Sequence, residues 1–301
     1  MPPFFCAFIL EISFMAINGK TQLLGVIGHP VTHSLSPAMH NAAIAHLNAN
    51  YVYLPLPVKP EDLQSAIAGF RAINLQGFSI TIPHKQAIIP LLSEVTDIAQ
   101  AIGAVNTVYP TANGWGGTNT DITGFLAPLL DRRDWSQTTA VVLGNGGAAR
   151  AIVMGCRQLG CGQIFVVGRN LPKLQDFRAS WADSPLPIEN LSVHGWDALP
   201  KLIPQADLLV NTTPIGMHPQ VSDSPLTIEE GQQIKRGAIA YDLIYTPRPT
   251  RFLEQAEAAG AVAIDGLEML VQQGAVALER WLQQAAPIAI MRQALLDQLK
   301  A

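Results

Sequence analysis

The most specific chemistry in this 301-residue chain lies in a glycine cluster, Gly144-Asn145-Gly146-Gly147-Ala148-Ala149, between an apolar run over 138–143 and a helical pattern that continues to Gly160. It matches GxGxxA. The first glycine permits a tight turn, the second lets backbone approach a pyrophosphate, and Ala149 keeps helix and sheet close. The helix N-terminus then faces the phosphate charge. A glycine pair at a turn is often only structural, but strand, motif and helix in succession favour a dinucleotide. The following strand, 164–170, ends in Gly168-Arg169-Asn170, with Lys173 three residues on. NAD sites commonly carry a carboxylate here to hold the ribose. Two cations and no carboxylate favour the 2′-phosphate of NADP. Read alone, Arg169 is an ordinary solvated loop residue; its place opposite the glycine turn favours the phosphate.

Other reactive types are less decisive by spacing. Lys85 and Asp121 each follow an expected element of the N-terminal region, and nothing in their separation pairs them. Ser34 and Ser36 precede Pro37, where a serine usually caps a helix. His29, His33 and His40 suggest a metal, but no Cys, Asp or Glu spacing completes a site, so they read as satisfied loop histidines. Cys6, Cys156 and Cys161 form no CxxC and no paired framework, which fits a reducing compartment.

These residues need elements to position them. The run 22–28 reads as a buried strand, with a helix from Ser36, a strand over 51–58, a helix over 61–72, a strand over 78–82, a helix after Pro83 and a strand over 104–110. NGWGGTNTD (113–121) reads as a turn. From 138 to 266 strands and helices alternate, with strands at 138–143, 164–170, 207–214, 238–245 and 261–266. That pattern predicts a parallel sheet with helices on both faces. The stretch 266–284 carries an apolar stripe through Leu267, Leu270, Val271, Leu278, Trp281 and Leu282, which suggests docking on the first unit. The expected class is therefore α/β, in two domains.

Composition agrees. Hydrophobic residues make up 49% and charged residues 14%, enough for sizeable cores. The net charge of −4 and the lack of a basic run argue against a nucleic-acid partner. The apolar N-terminus (1–17) is interrupted by Glu11 and lacks a basic flank, so it reads as an extension rather than a membrane span or signal peptide.

The chain from about residue 22 onward resembles the shikimate dehydrogenase family. Residues 28–41 (GHPVTHSLSPAMHN) look like its opening signature, Thr81-Ile82-Pro83-His84-Lys85 like its TxPxK segment, and Ala104-Val105-Asn106-Thr107 like AVNT. Gly117-Thr118-Asn119-Thr120-Asp121 resembles GxNTD, and 211–217 (NTTPIGM) the loop beside the nicotinamide. Tyr241-Asp242 with Tyr245 and Pro247 resembles YDxxYxP, and 266–273 a helix ending in a substrate-binding Gln. The resemblance implies an N-terminal substrate domain (22–122), a Rossmann-like NADP domain (123–264) and C-terminal helices (265–301) returning to the first, after an extension over 1–21. It implies reversible NADP-dependent reduction of 3-dehydroshikimate to shikimate. Ser34 and Ser36 would hold the carboxylate. Thr81, Lys85, Asn106, Asp121 and Gln273 would meet the ring hydroxyls, with Tyr241 nearby. Lys85 and Asp121 would be catalytic. The cofactor would lie on Gly144 to Ala149 (including Asn145, Gly146, Gly147 and Ala148), on Arg169, Asn170 and Lys173, and on Thr212, Thr213, Pro214, Met217, Gly266 and Met269.

Four positions depart from the commonest family form. Asn145 stands for Ala, Gly168 for the Asn before Arg169, Ile122 for Gly, and Glu268 for Gly. The alternatives are a quinate or dual quinate/shikimate dehydrogenase, or a non-catalytic ligand-binding regulator, which loss of Lys85 or Asp121 would have favoured. The reading carries no metal, nucleic acid or membrane partner, a cytoplasmic location, and a monomer or homodimer.

Overall fold

The computed structural model describes residues 17–182 and 184–300; the expectation for the apolar N-terminus and Cys6 lies outside the described residues. The N-terminal region runs β1 (Gln22–Gly28), α1 (Ser36–His46), β2 (Tyr51–Pro57), α2 (Leu63–Ala72), β3 (Phe78–Ile80), α3 (His84–Ala87), β4 (Glu94–Val95), α4 (Asp97–Ile102), β5 (Thr107–Thr111), β6 (Gly114–Thr118) and α5 (Asp121–Leu126). Its sheet has the order β2-β1-β3-β5-β6-β4. Strand β1 runs parallel to β2 and β3, whereas β5 is antiparallel to both β3 and β6.

Two local expectations are corrected here. Residues 114–118 form a strand rather than a turn. Glycines disfavour strands, but a Cβ on Gly116 would strike the Tyr109 ring and one on Gly117 would strike Leu92 and Val105. Close packing thus overrides propensity. Ser36 does not cap α1. Leu35 is already helical (φ −85°, ψ −5°), so Ser36 falls inside the first turn, and its N–H donates to Ser34 Oγ at 3.3 Å.

The second region runs β7 (Thr139–Leu143), α6 (Gly147–Leu159), β8 (Gln163–Gly168), α7 (Leu171–Ala182), β9 (Leu191–Gly195), α8 (Leu199–Leu202), β10 (Leu208–Asn211), α9 (Ile228–Gln232), β11 (Ile239–Asp242), α10 (Arg251–Ala258) and β12 (Val262–Ile264). All six strands are parallel, in the order β12-β11-β10-β7-β8-β9. The strand β9 falls between the elements expected from sequence. Alternation divides the core. Ala140, Val142, Ile164, Val166, Leu208 and Val210 pack under α6 and α7. Val141, Leu143, Val167, Leu209 and Ala240 pack under α8 and α10. Successive side chains point to opposite faces, so both faces need a helical cover.

The chain then returns. Helices α11 (Leu267–Leu282) and α12 (Ile288–Gln298) share a core with Leu24, Val26 and Tyr53 of the first sheet and with Met39 and Ile44 of α1. Trp281 Nε1 donates to Val108 O at 2.9 Å. Glu268, where the family commonly has Gly, forms a bidentate pair with Arg292 (2.7 and 2.8 Å) and so ties α11 to α12. Ile122, another departure, is buried in the core shared with α6. Helix α4 of the first region and α7 of the second are also linked through Arg150 of α6. Its guanidinium donates to Ile102 O and to Ser180 Oγ (2.8 Å) and lies over the rings of Phe177 and Trp181. Burial pulls its pKa down to about 10. No described helix is long and apolar enough to cross a membrane.

Candidate active site

Lys85 is held by its backbone before its side chain does anything. Thr81 N–H donates to Ile27 O at the end of β1 (2.9 Å), and His84 N–H donates to Thr81 O (3.0 Å). The buried His84 ring bonds Val58 O at 2.7 Å. The carbonyl of Lys85 itself accepts from Val105 N (2.8 Å). Asp121, the first residue of α5, donates its N–H to Asn119 Oδ1 (2.9 Å), and Asn119 is anchored on Ala104 O (3.0 Å). Two helix starts distant in sequence are thereby fixed face to face.

Between them Lys85 Nζ donates to Asp121 Oδ2 at 2.6 Å, with side-chain exposures of 18% and 7%. The other Asp121 oxygen accepts from Asn106 Nδ2 (2.7 Å). Asn106 Oδ1 in turn accepts from Thr120 N (2.8 Å) and Thr107 Oγ1 (2.9 Å). Gln273 of α11 closes the group. Its Oε1 lies 3.4 Å from Asn106 Nδ2 and 3.5 Å from Thr120 Oγ1, while its Nε2 donates to Leu270 O. Helix α11 can bring it there because Gly124 of α5 has no Cβ to strike the Met269 carbonyl. A largely desolvated ammonium–carboxylate pair with its remaining acceptor satisfied is a geometry in which losing either partner is costly. It can deliver a proton to an oxygen placed beside Nζ.

The glycine turn faces this group. Gly144 has φ +106° and donates its N–H to Val167 O (2.8 Å), and a Cβ on it would come 2.7 Å from Thr212 Oγ1. A Cβ on Gly146 would meet nothing within 4 Å, and no side chain caps the first turn of α6. The α6 amides are therefore open to an anion, with the positive end of a 13-residue helix behind them. A Cβ on Gly147 would lie 3.7 Å from Lys85 Cβ, so turn and lysine border one space. Arg169 and Lys173 are exposed and in no ion pair among the described residues. Open amides with two cations nearby have the chemistry for a pyrophosphate and a further phosphate.

The remaining sequence-derived residues divide. Ser34 and Thr81 are half-buried and Ser36 is 8% exposed; no bond joins them to the lysine group. Thr212 donates its hydroxyl to Leu143 O (2.7 Å) and Thr213 to Asn211 Oδ1 (2.7 Å) beside the turn. Pro214 and Met217 are exposed. Ala149 is buried under the sheet, with Ala148 before it on the first turn of α6. Gly266 starts α11, pressed against the Leu243 carbonyl. Asn170 Oδ1 accepts from Lys173 N (3.0 Å) and so caps α7. Tyr241 is buried and stacked on Phe125 (5.3 Å), its hydroxyl without a partner among the described residues. Burial pushes that phenol far above its ordinary range.

Sequence reasoning gave no role to His84, Asn119 or Thr120. For the last two the signal was a run of hydroxyl and amide side chains (118–120) directly before the helix start at Asp121. His40 also differs from expectation. It is no loop residue but a buried member of α1, stacked on Tyr53 at 4.2 Å, with both ring nitrogens unpartnered among the described residues. Burial lowers its pKa to about 3, so it stays neutral. Behind the 211–217 loop, Asp242 accepts from Thr250 Oγ1 (2.7 Å), Asn211 Nδ2 (3.1 Å) and Ile244 N (3.1 Å). Burial outweighs these bonds and raises its pKa to about 6.

Comparison with known proteins identifies the family. Residues 26–108 match the model of the shikimate dehydrogenase substrate binding domain, and 266–296 that of the shikimate 5′-dehydrogenase C-terminal domain. The shikimate dehydrogenase (NADP(+)) of Trichormus variabilis is 65% identical over 93% of this chain and 97% of its own. A solved shikimate dehydrogenase in complex with NADP+ has a TM-score of 0.85 at 36% identity, covering 94% of this chain and 98% of that one. The Thermus thermophilus shikimate 5-dehydrogenase, in complex with NADP(H) and shikimate, has a TM-score of 0.80 at 33% identity, covering 92% and 99%. At 65% identity over nearly its whole length, this chain belongs to the shikimate dehydrogenase family.

Proposed function

We propose that this protein catalyses the reversible NADP-dependent reduction of 3-dehydroshikimate to shikimate. The observation that carries the reading is the Lys85–Asp121 pair, joined to Asn106, Thr120 and Gln273 and bordered by Gly147 at the mouth of the glycine turn. NADPH, when bound, supplies the reducing equivalent to the ketone carbon. Amides at the start of α6 hold its pyrophosphate, Arg169 and Lys173 its 2′-phosphate, and Thr212, Thr213, Pro214, Met217, Gly266 and Met269 border its nicotinamide half.

The protein's own groups do the rest. Ser34 and Ser36 donate hydroxyls to the substrate carboxylate without burying a second charge. Thr81, Asn106 and Gln273 read the ring hydroxyls, where an unmade bond is costly and therefore selective. Lys85 gives its Nζ proton to the carbonyl oxygen as negative charge grows there, an interaction stronger in the transition state than in the ground state. Asp121 orients the ammonium and accepts from the neighbouring substrate hydroxyl. In reverse, Lys85 receives the proton from the alcohol.

We divide the chain accordingly into a substrate domain (22–122), a nucleotide domain (123–264) and returning helices (265–301). The pattern fits a cytoplasmic enzyme, monomeric or homodimeric, with no nucleic-acid partner. The test is a panel of shikimate and quinate against NADP+ and NAD+, followed by reduced-nicotinamide absorbance. Shikimate with NADP+ is the expected best pair. Preference for quinate, or no turnover of shikimate, overturns the reading.

A further inference from the structure

We propose that Asn145 is a specificity residue that selects the 2′-phosphorylated cofactor, by laying a neutral carboxamide over the end of β8 in the space a side chain at position 168 would take. The inference rests on the reading that the glycine turn holds NADP.

The turn is pinned against β8 by the bond from Gly144 N to Val167 O (2.8 Å), which carries Asn145 across the strand end. Asn145 Oδ1 lies 3.2 Å from where a Cβ on Gly168 would stand, with Leu174 Cδ2 at 3.1 Å on the same spot. A side chain at 168 and the present Asn145 therefore compete for one volume, and the glycine yields it to the carboxamide. Asn145 is half-buried and makes no hydrogen bond with any group of the protein among the described residues. An amide with both ends idle, in the angle between a helix N-terminus and a strand end, is free to meet a ligand.

Its neighbours define that ligand. Asn170 Oδ1 is engaged in capping α7, which leaves that side chain its Nδ2 donors and no carboxylate for a ribose. Among the described residues, the polar groups left free at this corner are the Asn145 carboxamide, the Asn170 Nδ2 and the Arg169 and Lys173 cations. A carboxylate here would accept from a ribose 2′-hydroxyl and repel a 2′-phosphate. The amide has the same shape without the charge and can also donate an N–H to a phosphate oxygen. Asn145 thus complements the two cations. They attract the phosphate, and it supplies a donor where a carboxylate would reject it.

The test is calorimetric titration of the full chain with NADP+ and with NAD+, without substrate, so that binding is read apart from turnover. Asn145→Asp is expected to weaken NADP+ at least tenfold and NAD+ less than twofold. Asn145→Ala removes the donor without adding charge and should weaken NADP+ by about three- to tenfold. Gly168→Ala adds a methyl group against Asn145. It should weaken NADP+ in the wild-type background clearly more than in the Asn145→Ala background; pressure on Leu174 is common to both and drops out of the comparison. Equal losses for both cofactors in Asn145→Asp, unchanged NADP+ affinity, or a Gly168→Ala effect independent of Asn145 would overturn the role. A wild-type protein that binds NADP+ no better than NAD+ would instead overturn the cofactor reading beneath it.

Discussion

Around Lys85 the polar side chains bind one another, whereas beside the glycine turn those of Asn145, Arg169 and Lys173 bind no protein group among the described residues. Lys85, Asp121, Asn106, Thr120 and Gln273 form a connected group before any ligand arrives. At the glycine turn the first amides of α6 are uncapped, and Arg169 and Lys173 stand exposed. The difference follows from what each half would meet. A small ring with several hydroxyls is distinguished by donors and acceptors already at their final angles, since a misplaced buried amide binds nothing well. A phosphate brings enough charge to order a flexible cation on arrival, so that half needs only a rigid backbone cradle.

The largest way to break this contrast is Lys85→Ala. Single-turnover reduction at saturating ligands should fall by about 10²- to 10⁴-fold, the range of acid–base catalysis, with NADP+ affinity nearly unchanged. A comparable loss of NADP+ binding would mean that the two halves are not separable. An unchanged chemical rate across pH would remove Lys85 from proton transfer.

The next effect is on stability and lies beneath the cofactor half. Folding raises the Asp242 carboxyl from 3.8 to about 6. Its contribution is therefore full below pH 4 and is lost as pH rises through about 6, because the folded state holds the proton longer. Two pKa units correspond to at most about 3 kcal/mol. Denaturant unfolding of wild type and Asp242→Asn should show wild type losing ground to the variant between about pH 4 and pH 7. Parallel pH profiles would place Asp242 as ionised throughout, held by Thr250 and Asn211.

Arg169→Ala should raise the NADP KM by roughly tenfold, the worth of one charge-assisted hydrogen bond, with the NAD KM little changed. Equal changes would place Arg169 away from the 2′-phosphate. The smallest effect is expected for Ser36→Ala. Ser36 caps nothing, so unfolding free energy should change by less than about 0.5 kcal/mol, against about 1 kcal/mol for a lost cap. Shikimate KM should nevertheless rise while NADP affinity stays constant. A large stability loss would return Ser36 to a purely structural part.

The strand–glycine–helix unit at 139–159 was legible in the sequence because everything it needs is local. An apolar run, a turn requiring φ > 0 and an amphipathic helix lie within about 20 residues. The same holds for the alternation that predicts a parallel sheet over 138–266. Residues 114–118 were not legible, because the demand for glycine comes from Tyr109, Leu92 and Val105 on neighbouring segments. Ser36 failed as a cap because one dihedral pair at Leu35 started the helix a residue early, a shift that composition does not encode.

The candidate site divides along the same line. The chain's order of residues by itself determined the open glycine turn, the cations at the end of β8 and the apolar stripe of α11, all patterns of short range. Motif resemblance added Lys85, Asp121, Asn106 and Gln273 as a set, but spacing alone paired none of them. Only the tertiary structure brought Asp121 to 2.6 Å from Lys85 and set Gln273 against Asn106, 167 positions away. Such contacts depend on how β3, β5, α5 and α11 pack. That packing is decided by side-chain volumes summed over the whole core, of which a local stretch of sequence records only its own share.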